Sequence, residues 1–129
     1  MRIRSRTIRV LAAATLVAGA LTAATSATAT AAATSCYGSA RTISATDPNG
    51  RWPVTGYAYA TSNCNDINVK STKQDMVQTC FLPSSGGTSC NGLRPIYANT
   101  WALAATDVKD GTKFYLVFGS GNGKGLVAY

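Results

Sequence analysis

Few groups in this chain could do acid–base chemistry: five aspartates, no glutamate and no histidine. A serine or cysteine nucleophile therefore lacks its usual base. A glycosidase-type carboxylate pair would have to be two aspartates, with Asp66, Asp75, Asp107 and Asp110 as candidates. Asp110 precedes Gly111 in a turn signal, and Asp66 closes Cys64-Asn65-Asp66, where turn capping is a sufficient account. Asp107 stands apart, because the strand register worked out below puts it on an apolar face, where burial would raise its pKa. A place at the sheet rim, with its carboxylate taking backbone N–H bonds, is the commoner fate of such a residue. The expectation is a protein that is not an enzyme, with no catalytic residue.

Binding motifs are equally sparse. Gly119 to Gly125 reads GSGNGKG, but a phosphate loop needs Gly, four residues and then Gly-Lys-Ser/Thr. Phe118 occupies the first glycine's place, Gly125 follows Lys124, and no helical pattern comes after it. A flexible turn before a final strand is the better reading. No D-x-[DN]-x-[DN]-G calcium loop occurs, and the cysteines lack CxxC spacing. No metal and no cofactor are expected.

Aromatic residues remain. In the run 53–61, Thr55, Tyr57 and Tyr59 alternate with Val54, Gly56, Ala58 and Ala60. If the Val/Ala face is inside, Tyr57 and Tyr59 project outward beside Trp52 as a polar–aromatic strip able to stack on sugar rings. If the tyrosines are inside, they are core, and their larger burial favours that arrangement. A second possible binding element is a rigid loop offered to a protease. The segments are Phe81 to Ser89 and Lys70-Ser71-Thr72-Lys73, with Lys70 or Lys73 acceptable to a trypsin-like target.

The elements that would position these residues follow from charge, cysteines and periodicity. Arg2, Arg4, Arg6 and Arg9 precede an uncharged apolar run, Val10 to Leu21, and then a stretch of Ala, Thr and Ser. This is the order of a secretory signal peptide, spanning residues 1–33 with cleavage between Ala29 and Ala33. The apolar run is shorter than the roughly 20 residues of a membrane-spanning helix. Of the formal charge of +7, the four leader arginines account for +4, leaving +3 on residues 34–129. These charges are scattered, so neither a nucleic-acid stripe nor a basic membrane-surface helix is expected.

Cys36, Cys64, Cys80 and Cys90 all lie in 34–129. In an exported chain they read as two disulfides, for which three pairings exist. Cys80–Cys90 is favoured because it closes a loop rich in Pro, Ser and Gly, and Cys36–Cys64 because it ties the new N-terminus to the body.

Short β-rich runs broken by Gly, Pro, Asn and Asp predict strands near 40–46, 53–61, 65–70, 76–82, 100–108, 113–118 and 125–129. Asp110-Gly111 signals a type I′ turn, so 101–108 and 113–118 should form a hairpin. Asp107 then opposes Phe114, Ala105 opposes Leu116, and Leu103 opposes Phe118. Trp101, Leu103, Ala105, Phe114, Leu116 and Phe118 would share the core face, with Ala104, Thr106, Val108, Lys113, Tyr115 and Val117 on the other. The whole reads as a single all-β domain over 34–129, a small antiparallel β-sandwich or barrel stapled by two disulfides.

The leader, Cys64-Asn65-Asp66-Ile67-Asn68-Val69, Val77-Gln78-Thr79-Cys80-Phe81 and the stretch Trp101 to Phe114 resemble small secreted disulfide-containing proteins of actinobacterial type. The likeness implies export and a β domain, and it implies no catalytic residue. The expected function is a non-enzymatic secreted, extracellular binding domain for a carbohydrate or cell-envelope surface. The alternative is a proteinase inhibitor or another protein-binding factor, and a weak antimicrobial is disfavoured by the low charge.

Overall fold

The computed structural model, which describes residues 35–44 and 47–129, is all-β apart from a 3-10 turn at Tyr37–Ser39. The expected leader lies outside the described residues. In chain order the strands are β1 (Arg41–Ile43), β2 (Arg51–Trp52), β3 (Ala58–Tyr59), β4 (Ile67–Ser71), β5 (Asp75–Phe81), β6 (Ser89–Cys90), β7 (Arg94–Ile96), β8 (Trp101–Ala105), β9 (Lys113–Phe118) and β10 (Gly125–Ala128). They build two antiparallel sheets. One runs β1-β10-β4-β8; the other has β9 and β5 at its centre, with β2 and β3 both pairing along β9, and β6 and β7 both pairing along β5. Each outer row of the second sheet is thus an interrupted strand, which blunts an edge that would otherwise recruit another chain. Pro95 sits in such an outer row, as a residue without an N–H must.

The two inner faces close on each other. Ile43, Ile67, Val69 and Val127 from the first sheet meet Val77, Ile96, Phe114, Leu116 and Phe118 from the second, all at 1 % exposure or less. Burying each such side chain contributes about 1.5–3 kcal/mol. Cys36–Cys64 and Cys80–Cys90 are both formed, the pairing favoured from the sequence. Cys80 and Cys90 face each other directly across the β5–β6 ladder. The first disulfide and the Tyr37–Ser39 turn lie over the outside of the first sheet, where Tyr37 packs on Trp101 with ring centroids 4.6 Å apart.

The expected hairpin does not form. β8 pairs with β4, while β9 pairs with β5, β2 and β3, so the two segments lie in different sheets. Thr112 N–H does donate to Lys109 O at 3.1 Å, but only Gly111 has a positive φ, at 78°. That is the sign pattern of a type II turn, not the type I′ turn that matches the twist of a hairpin. The turn is fastened to Ala60 by two backbone bonds and carries the chain from one layer to the other. Phe114 accordingly faces Ala58 and Phe81 rather than Asp107.

The alternation assigned to β8 is also corrected. The β4–β8 register shifts between Ile67 and Asn68, placing one extra residue on β8 as a bulge does. Ala104 and Ala105 are both buried, whereas Leu103 is 46 % exposed and Trp101 faces outward opposite Lys70. Asp107 is exposed, with φ +53°, and its N–H donates to Asp66 Oδ1. Of the expected strand 53–61 only β3 forms: residues 53–56 are bends that follow the cis Trp52–Pro53 peptide, β2 lies just before the expected range, and β2, β6 and β7 are additional to the expected strands. Of the Lys70–Lys73 loop, Lys70 and Ser71 belong to β4 and Ser71 is buried.

Candidate functional site

β9 supplies the site. Its alternation sends Phe114, Leu116 and Phe118 into the core and leaves Lys113, Tyr115 and Val117 on the outer face. Pairing brings Tyr59 beside Lys113 and Arg51 beside Val117. Tyr57, just before β3, leans toward Tyr115 with ring centroids 6.3 Å apart. The tyrosines therefore point out, with Tyr57 41 % and Tyr59 53 % exposed, while Ala58 and Ala60 are buried. This overturns the burial argument that favoured tyrosines as core. The reason is steric: Ala58 faces Phe114, and at interior packing density no room remains there for a second large ring.

Trp52 is separated from the two tyrosines. It pairs with Leu116 on the inner face, packs against the core, and its ring lies 6.1 Å from that of Tyr129. The structure thus brings Tyr57 and Tyr59 together and turns Trp52 away from them.

Arg51, Lys113 and Tyr115 complete the strip and were not singled out from sequence. The Lys113 ammonium lies 5.3 Å from the Tyr57 ring centre and 5.8 Å from that of Tyr59. The Arg51 guanidinium lies 5.2 Å from Tyr57 and 4.7 Å from Tyr115. Rings and cations are thereby interleaved in the order Tyr59, Lys113, Tyr57, Arg51, Tyr115. At partly exposed sites each such contact contributes about 0.5–1 kcal/mol. Arg51 is further held by donating to the carbonyls of Val54 and Gly56, which ties the 53–57 bend to the strip. The available signal was the Lys113/Tyr115/Val117 alternation, but its neighbours depended on β9 pairing with β2 and β3.

At the Tyr59 end the strip opens into a groove of about 900 Å³. Tyr59 and Lys113 form one side, segment 81–87 of the Cys80–Cys90 hairpin another, and the Lys109–Thr112 turn the end. The hairpin starts firmly, because Leu82 N–H donates to Lys113 O at 2.9 Å, and then runs exposed from Pro83 to Cys90. A smaller depression beside Cys36–Cys64 contains Asn63, Asn65 and Asp66.

Three of the aspartates serve the backbone. Asp47 accepts from the N–H of Asn49 and Arg51, Asp66 from Asp107, and Asp75 from Met76, Ser120 N–H and the Ser120 hydroxyl. Asp110 stands at the end of the groove. Among the described residues no group of three or more Cys or Asp residues is placed to hold a metal ion. No helix among them is long and apolar enough to cross a membrane. No protein-family model, curated protein or solved structure matches the chain.

Proposed function

We propose that this domain is a non-catalytic binding module, exported by the leader over residues 1–33, whose ligand is a carbohydrate of an extracellular or cell-envelope surface. One observation carries the reading: Tyr59 and Lys113 belong at once to the exposed tyrosine–cation strip and to the groove. An extended chain could lie along the strip with one unit set into the groove, bound by ring contact and by hydroxyl and cation hydrogen bonds. The two disulfides fit an oxidising compartment. Export is checked by the N-terminal sequence of protein recovered from the medium, which should begin between Thr30 and Thr34.

The test is sedimentation of the oxidised protein with insoluble cellulose, chitin, pectic acid gel and peptidoglycan, beside a Tyr57→Ala/Tyr59→Ala variant. Saturable depletion by at least one polymer, abolished in a variant of unchanged fold, is the expected result. Depletion by none removes the glycan reading.

A protein target is the second reading, favoured by the exposed run Pro83 to Cys90 cross-linked at its base. Stoichiometric inhibition of subtilisin or trypsin, lost on replacing 83–87 by a glycine-serine linker, would support it; full protease activity at excess protein would discard it.

A further inference from the structure

The strip's charge narrows the ligand class, on the premise of the glycan reading. Two cations already engage the strip's central ring, Tyr57, since Arg51 and Lys113 each lie within 5.3 Å of its centre. A sugar stacking on Tyr57 would therefore meet these cations as well as the ring. What the strip offers outward is the Lys113 ammonium, the guanidinium donors that Val54 and Gly56 do not use, and tyrosyl hydroxyls. Among the described residues, the contacts of these two cations are with rings and carbonyl oxygens, not carboxylates. In the groove, Lys109 and Asp110 offset each other and Lys113 remains as the net charge.

We propose that the ligand is an acidic polysaccharide built of uronic acids, with carboxylates at Lys113 and Arg51 and a pyranose ring against Tyr59. A neutral glycan laid here would strip water from the ammonium without replacing its charge partner, a cost that a carboxylate offsets. The two cations contact one ring, so they are no further apart than about twice its contact distance to either. A chain carrying a carboxylate on every sugar can place one at each cation within that bound. A glycerol-phosphate polymer would match the charge but has no ring to set against Tyr59.

The test is titration calorimetry of the oxidised protein with polygalacturonate, alginate, fully methyl-esterified polygalacturonate and poly(glycerol phosphate), in chelator-containing buffer at low and high salt. At least one uronate should bind about tenfold or more tighter than the ester, because only the uronate offers the two cations a charged acceptor. Binding should weaken with salt, as exposed charges are screened. Lys113→Gln should lose about tenfold and Lys113→Arg should restore most of it, both with the near-UV circular dichroism of the wild type and, for Lys113→Gln, only a small fall in melting temperature from the lost ring contacts. Equal affinity for uronate and ester, or an unaffected Lys113→Gln, overturns the acidic assignment and leaves the glycan reading standing. Poly(glycerol phosphate) binding as tightly as the uronates overturns the uronate assignment. If no polymer binds, both readings fail.

Discussion

Tyr129 shows how a single side chain can make stability depend on pH. Its ring packs edge-on against Phe114 at 5.1 Å and lies 6.1 Å from Trp52, and its main-chain oxygen accepts from the Thr61 hydroxyl. Burial raises the phenol pKa above its ordinary value of 10.0, and the charge of Arg41, whose guanidinium lies 5.8 Å from the ring centre, partly opposes that rise. Between the ordinary value and the raised one, the folded protein holds a proton that the unfolded chain has released. Stability is therefore at its full value below pH 10 and falls as pH climbs through the folded pKa. Urea unfolding at pH 8 and above pH 10 should show this alkaline loss, and Tyr129→Phe should make it smaller. An identical alkaline loss in that variant would dismiss Tyr129 as the source.

At the scale of elements, the β8 bulge leaves the Ala104 carbonyl to be satisfied from the other sheet. The Thr79 hydroxyl donates to it at 3.1 Å and Asn91 Nδ2 at 2.6 Å. Asn91 also accepts the Thr79 N–H on Oδ1 and donates its own N–H to Thr79 O. One asparagine next to the Cys80–Cys90 bridge thus joins β5, β8 and the start of the 91–93 link. Asn91→Ala should cost about 2–3 kcal/mol in urea unfolding, because it strands a backbone N–H and removes a donor from a bulge carbonyl. A cost below 0.5 kcal/mol would mean that water replaces the amide at no penalty. β10 is constrained by close approach instead: a Cβ on Gly125, at φ +147°, would stand 2.0 Å from Lys70 O. Only glycine lets β10 lie between β1 and β4 at this point.

For the whole molecule, a domain of this size has a modest core and leans on its cross-links. Cys36–Cys64 closes a separation of 28 residues and fixes the N-terminal turn over the first sheet. Cys80–Cys90 spans 10 residues of an existing hairpin. Cys36→Ser/Cys64→Ser should lower unfolding free energy by about 2–4 kcal/mol, and the Cys80/Cys90 double variant by somewhat less on loop entropy alone. Calorimetric melting of the two variants side by side gives the order, and the reverse order would show that the hairpin link also holds the groove wall formed by 81–87. The same hairpin joins the stability question to function, because that wall belongs to the candidate binding groove.

Local chemistry was legible in the residues themselves. Phe114, Leu116 and Phe118 are buried as their period-two spacing requires, the cysteines pair as loop composition and the tethering of the N-terminus suggest, and Asp66 lies in a bend. Spacing of this kind reports which residues share a face, because alternation is a property of one strand. It carries no information about which strand lies next door. The Asp110-Gly111 turn suits a hairpin or a crossing between layers, and the choice rests on long-range pairing of β9 with β5 and β8 with β4. The orientation of Tyr57 and Tyr59 was settled in the same way, since both alternating sets in 53–61 were admissible until Phe114 filled the space beneath Ala58. The strip of Tyr59, Lys113, Tyr57, Arg51 and Tyr115 exists only because three separate segments meet on one outer face, so tertiary packing alone decided it.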